Sequence, residues 1–248
     1  MSLEQSLEKQ GNFLFKYRGQ FPIVLFLLSI PFIYLNSLES SSDNLILFYN
    51  LIALFLSILG FLIRFYTIGT TPKNTSGRNT DKQIAETLNT TGIYSLIRHP
   101  LYLGNYLIWI GICFFTYNLY FVLLVSLLFW LYYERIIYAE ERFLELKFHD
   151  SFVLWSKSVS AFFPTTFSCY KKTSIKFSVI SVLRREYSSV LSAVVAFLYV
   201  DILRNFFDLH EFHISANVFV ISSFLIFLVL ILRTLKHNTS LLKEEGRS

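Results

Sequence analysis

The chain has 248 residues, 54% of them hydrophobic, 18% aromatic and 16% charged, with a formal net charge of +5. A soluble domain holds about a quarter charged residues, so this composition excludes an ordinary soluble enzyme and points to a membrane protein, as does a mean hydropathy of +0.50. The basic surplus falls in alternate connecting segments, which fits a membrane surface and leaves no nucleic-acid-binding face.

Residues 1–20 are polar and charged and lack an apolar h-region, so no cleavable signal peptide is expected. Six apolar spans follow, at about 21–38, 45–65, 101–115, 119–137, 188–207 and 214–235. Pro31 should kink the first, and the fifth contains Asp201 and Arg204. The amino-terminal arm, residues 64–98, residues 135–185 and the tail hold 21 of the 22 Lys and Arg. Arg204 is the exception, on the side where Glu39, Asp43, Asp208 and Glu211 collect. The positive-inside rule then puts both termini in the cytoplasm. Cys113 lies in an apolar run and Cys169 outside one, so no disulfide framework is implied.

The polar loop 67–91 leads into the stretch around which the chain is organised, residues 92–105. There Arg98-His99-Pro100 ends a turn-rich segment and an apolar helix begins at once. Pro100 suits the first helical position, because its missing N–H would have no partner there. The helix start presents free N–H groups and a positive dipole end beside two basic side chains, a place for a carboxylate or phosphate. Only Thr116-Tyr117-Asn118 joins the third and fourth spans, which must form an antiparallel hairpin. Its arms return to similar depths, so Arg98 and His99 become neighbours of Glu140 and Glu141. Such a site suits a zwitterion, with its carboxylate at one end and its ammonium at the other. Residues 140–160 read as a cytoplasmic helix lying against the membrane, stopped by Phe162-Phe163-Pro164.

Gly92, Tyr94, Arg98, His99, Pro100, Tyr102 and Gly104, then the hairpin, then Glu140, Glu141, Leu144, Phe148 and Phe163-Pro164 form a two-part pattern. This pattern resembles the isoprenylcysteine carboxyl methyltransferase and phospholipid methyltransferase superfamily over about residues 92–164. His149 stands where that family usually has Gly, and Phe152 and Trp155 stand where Tyr is usual. The resemblance implies an all-α polytopic membrane enzyme that uses S-adenosylmethionine (S-adenosyl-L-methionine), held in a cytoplasmic pocket over the hairpin. A lipophilic acceptor would enter from the bilayer, among the membrane lipids. It implies that Arg98 orients an anionic acceptor or the cofactor's carboxylate, and that His99 and Tyr102 contact the cofactor. Gly104 would allow close approach, and Gly92, Tyr94, Pro100 and Leu144 would complete the cofactor site. Glu140 and Glu141 would bind the cofactor's ammonium or ribose, or fix Arg98 through a salt bridge. Catalysis falls to Arg98 and Glu141. The chain then divides into an amino-terminal two-span region and loop (1–91), a methyltransferase core (92–164) and a two-span extension (165–248).

Rival readings follow from the same residues. Arg98 and His99 also suit positive-inside caps of a membrane helix, and Tyr94 and Tyr102 suit aromatic-belt anchors. Glu134 and Arg135 read as an interface pair, and Asp201 and Arg204, at i and i+3, as a pair within the bilayer. His210 and His213 sit in the outer loop, where no metal site is expected. An NADPH-dependent sterol or enone reductase and a non-catalytic transport or assembly protein are the competing functions. The methyl acceptor and the oligomeric state are not legible.

Overall fold

The structure is a computed structural model that describes residues 2–37, 42–72, 75 and 83–244. Those residues form helices with no strand among them: α1 (Leu3–Lys16), α2 (Phe21–Ser37), α3 (Asp43–Gly69), α4 (Pro100–Phe114), α5 (Leu119–Phe148), α6 (Asp150–Ser158), α7 (Val179–Leu209) and α8 (Ala216–Asn238). A single 3-10 turn, Ile93–Ser95, precedes α4. The protein is an integral, multi-pass, all-helical membrane protein. Glu39, Lys73, Arg78, Lys82 and Arg247, used above to orient it, lie outside the described residues, as does part of the polar loop 67–91.

Among the described residues the count of six spans is not confirmed. Helices α3, α5, α7 and α8 are each long and apolar enough to cross, and α1 with α2 adds at most a fifth, bent by 83°. Helix α4 has 15 residues, roughly 22 Å, short of the roughly 30 Å hydrocarbon core. The amino-terminal arm is itself a helix. Ser2 caps α1 in a capping box with Gln5, and Phe15 is buried beneath it. A Cβ on Gly11 would come within 2.1 Å of the Arg135 carbonyl oxygen, so α1 lies directly on α5. Gln10 accepts from Arg135 Nε (2.9 Å), and the Tyr132 hydroxyl donates to the Leu14 carbonyl (3.0 Å). Arg135 thus pairs with α1 and not with Glu134.

Helices α3 and α4 meet along a seam of small residues. A Cβ on Gly104 would fall 2.5 Å from Arg64 Cγ and 2.9 Å from the Gly60 carbonyl oxygen, and one on Gly111 would fall 2.3 Å from Ser57 Oγ. Small residues in register let membrane helices approach to backbone contact, where dispersion replaces the missing hydrophobic drive.

Helix α5 carries the core. Val125, Phe129 and Ile136 are fully buried along one face, and Phe129 stacks on Tyr133 at 4.1 Å. At 30 residues it is roughly 45 Å long, so its last turns project past the hydrocarbon. Glu140 and Glu141 therefore belong to the end of α5 and do not start a separate cytoplasmic helix. The chain re-enters a helix, α6, after His149 and stops before buried Phe162.

Asp201 and Arg204 do not form the expected pair. The Asp201 carboxylate accepts from the Ser215 N–H (2.8 Å), the Ser215 hydroxyl (2.8 Å) and Asn205, which ties α7 to the start of α8. Arg204 lies 3.6 Å over the Tyr117 ring and donates to the Phe115 carbonyl (3.3 Å). The Asp201 carboxylate is thus satisfied structurally, whereas the buried Arg204 Nε has no hydrogen-bond partner among the described residues.

Candidate functional site

Residues 97–99 are held from below by the segment after α6. The Arg98 N–H donates to the Ser160 carbonyl (2.8 Å) and the His99 N–H to the Ala161 carbonyl (3.1 Å). Gly92, at φ +61, makes the turn that starts this stretch, and its N–H donates to the Lys171 carbonyl (2.8 Å). Pro100 then opens α4 at its first turn.

The two motif halves meet, although about forty residues separate them. Arg98 Nε donates to Glu141 Oε1 (2.7 Å) and Nη2 to Oε2 (3.2 Å), while Nη1 donates to the carbonyls of Ser156 (2.7 Å) and Val159 (2.5 Å). His99 Nε2 lies 2.9 Å from Glu141 Oε1, and its Nδ1 lies 3.5 Å from Glu140 Oε2. The imidazole stacks on the Tyr102 ring, with centroids 5.6 Å apart. Burial pushes the His99 imidazole down, but hydrogen bonds and charge from the two glutamates outweigh it, and its pKa lies above the ordinary 6.5.

This corner forms one wall of a cavity of about 710 Å³, within the roughly 300–1,000 Å³ usual for small-molecule sites. Tyr94, Arg98, His99, Pro100, Tyr102, Glu140 and Leu144 line it. Glu141, Gly92 and Gly104 are not among its lining residues. Glu141 sits behind Arg98, with its oxygens taken up by Arg98 and His99. Gly104 faces α3, so its close approach is to Gly60 and Arg64 of a neighbouring helix and not to a cofactor. Trp155, in place of the usual Tyr, donates its Nε1–H to the Tyr94 carbonyl (3.0 Å), which fixes Tyr94 beside the cavity.

A second polar cluster lies deeper and was missed from sequence. Arg64 of α3 donates to both oxygens of Glu186 of α7, Nε at 2.7 Å and Nη2 at 2.8 Å, and also to Asn105 Oδ1 and Ser189 Oγ. Asn105 in turn donates to the Tyr133 hydroxyl (3.1 Å). Arg64, Asn105, Arg185, Glu186 and Ser189 line the same cavity, as does Arg18. Arg64 ends an apolar run and reads as a positive-inside residue, and Glu186 follows Arg184-Arg185 as if on a solvated face. The available signal was the small-residue register, in which Arg64 follows Gly60 by one turn and so shares its face toward α4. Among the described residues, no three His, Cys, Asp or Glu side chains gather as a metal site, and His210 and His213 belong to no such group.

Residues 48–151 match the model of the family described as phospholipid methyltransferase. That segment contains the hairpin, the Arg98-His99-Pro100 corner and both glutamates, so the superfamily resemblance read from the motifs holds for this part of the chain. A similar protein is the cobalt-zinc-cadmium resistance protein CzcN of Cupriavidus metallidurans (strain ATCC 43123 / DSM 2839 / NBRC 102507 / CH34), 41% identical over 78 residues. The match covers 32% of this chain and 36% of the relative, so the chain spans about a third of that relative's length. No solved structure matches the chain.

Proposed function

We propose that the chain is an integral-membrane methyltransferase that uses S-adenosylmethionine and acts on a membrane-embedded lipid or lipidated acceptor, with O-methylation of a carboxylate favoured. The observation that carries this reading is the corner itself. A guanidinium and an imidazole, braced from behind by Glu141, meet the Glu140 carboxylate at a cavity that continues between apolar helices.

The residues present fit the cofactor. Its amino-acid end is a zwitterion, and the corner offers Glu140 toward an ammonium and the positive end of α4 toward a carboxylate, while His99, both ring nitrogens turned to the glutamates, positions them. Tyr94, Tyr102 and Leu144 supply flat and apolar surface beside them. When bound, S-adenosylmethionine supplies a methyl group on a sulfonium, which is a good leaving group. What remains for the protein is alignment and exclusion of water. Trp109 and Tyr133 line the cavity, backed by Phe129, and this aromatic surface favours exclusion of water. A carboxylate acceptor arrives already nucleophilic, so this assignment requires no general base, whereas an amine would have to lose a proton first. Arg98 spends four donor contacts on Glu141 and two carbonyls. Its role is therefore to hold the corner's shape, and Glu141 acts through Arg98 and His99 as a positioning residue.

The test is incubation of the purified protein with lipid extract and isotopically labelled S-adenosylmethionine, followed by mass spectrometry of the lipids. A labelled methyl ester supports the carboxylate assignment, and a labelled N-methyl product would move it to an amine. No labelled lipid, with selective binding of NADPH over S-adenosylhomocysteine, would overturn the methyltransferase reading.

A further inference from the structure

Beyond the corner the cavity keeps to one face of α4 for the whole length of that helix. Its lining residues there, Tyr102, Asn105, Trp109, Ile112 and Thr116, recur every three or four positions. Helix α7, which lies beyond residues 48–151, faces it with Ser189, Ala193, Ala196 and Val200 at the same spacing. The small side chains among them leave space between the two helices. From Asn105, which the Arg64 side chain reaches, to Thr116 is eleven residues, roughly 16 Å. The two sides of this channel differ. Ile23 of α2 and Val195 of α7 line it and are 58% and 48% exposed, so a single layer of side chains stands between the channel and the bilayer. Further along, α2 and α7 are tied, because the Tyr199 hydroxyl donates to the Phe26 carbonyl (2.7 Å) and the two rings meet edge to face. At the far end Thr116, Phe121 and Val200 are 0%, 3% and 2% exposed, and the cavity tapers shut against them.

We propose that this channel holds one apolar chain of an amphiphile, and that Thr116, Phe121 and Val200 set the longest chain it takes. Apolar space offers water few partners and takes an apolar guest instead. Its roughly 16 Å matches one leaflet, half of the roughly 30 Å hydrocarbon core, so the fitting chain is about as long as a membrane lipid's own. A longer chain meets the closed end and must overpack it or leave methylenes outside. That the chain belongs to the methyl acceptor rests on the function proposed above; the length limit does not.

The test uses the full-length protein in detergent and a scintillation-proximity assay with tritiated palmitate and tritiated phytanate. Unlabelled myristate, palmitate, stearate, arachidate and behenate compete at matched mole fractions in the micelle. Moving a chain from a micelle into an apolar channel changes its hydration little, so a site without a stop gives affinities that stay level with length. The expected result is tightest binding at palmitate or stearate and roughly tenfold weaker binding of behenate. Phytanate has the backbone length of palmitate with isoprenoid-like branches, so the tighter of the two tells an isoprenoid chain from an acyl chain. Val200→Ala should recover most of the behenate loss, and Ala196→Phe should move the best length below palmitate. Ala196 is buried, so Val200→Ala decides alone if the larger side chain prevents folding. Saturable binding of neither labelled chain, affinity level or still rising at behenate, or an unchanged profile in Val200→Ala would overturn the proposal. Calorimetry with S-adenosylhomocysteine on the same sample separates the two claims. Its binding without a length limit retires the channel alone, and a length limit without its binding retires the methyltransferase reading alone.

Discussion

Glu141 accepts from both Arg98 and His99, whereas Glu140 meets the other edge of the imidazole and faces the cavity. Adjacent identical residues are thereby expected to fail differently. Glu141→Gln leaves the half-buried Arg98 without its carboxylate and should cost about 2 kcal/mol of stability, read by thermal unfolding in detergent. Glu140→Gln removes one of the two carboxylates beside His99, should lower the unfolding midpoint less than Glu141→Gln does, and should weaken S-adenosylhomocysteine roughly tenfold. The His99 imidazole adds a pH dependence. Its folded pKa is raised, so its protonated form contributes stability in full below the ordinary 6.5, and that contribution is lost as pH climbs through the elevated folded value. The unfolding midpoint should fall as pH rises from 6.5, and His99→Gln should flatten that fall. His149 ends α5 at φ +45 and ψ −125, a backbone region that suits glycine. The glycine usual in the family at this place has a backbone reason, and His149→Gly should raise stability by about 1 kcal/mol.

At the scale of elements, the α3–α4 seam sets how closely the site's two walls stand. Gly104→Ala pushes against the Gly60 carbonyl, a backbone atom that cannot swing aside, and should cost about 1–3 kcal/mol. Gly19→Ala has nothing within 4 Å and serves as the control, with a change near zero by the same unfolding measurement. Much of this level was readable in the residues: Pro100 marks the start of α4, the short Thr116–Asn118 connection forces the hairpin, and its return brings Glu141 to Arg98. What escaped has physical causes. The end of α5 reads as a new element because its hydropathy drops at Glu140, although the helix simply leaves the membrane. Helix α1 reads as a polar arm because its apolar face is narrow and meets α5 through Gly11 and Phe15. Arg64 and Glu186 are partners 122 positions apart, and no local pattern announces a long-range ion pair.

For the whole molecule, α2, α3, the hairpin and α7 line one cavity, so α7, outside the family segment, still contributes a wall to the site. The Gly92–Lys171 bridge puts exposed Cys169 on the same side as the corner, while Cys113 is buried; we propose, from the distribution of Lys and Arg, that this side is the cytoplasmic one. A membrane-impermeant maleimide should therefore label Cys169 in inside-out vesicles and leave it untouched in right-side-out ones, with Cys113 unlabelled in both. The central claim is that the arginine–histidine turn and the two glutamates together hold S-adenosylmethionine, and titration calorimetry of the purified protein with S-adenosylhomocysteine and with NADPH tests it most directly. Saturable binding of S-adenosylhomocysteine that Glu140→Gln weakens is the predicted result. Binding of NADPH alone, or S-adenosylhomocysteine affinity indifferent to Glu140, would contradict it.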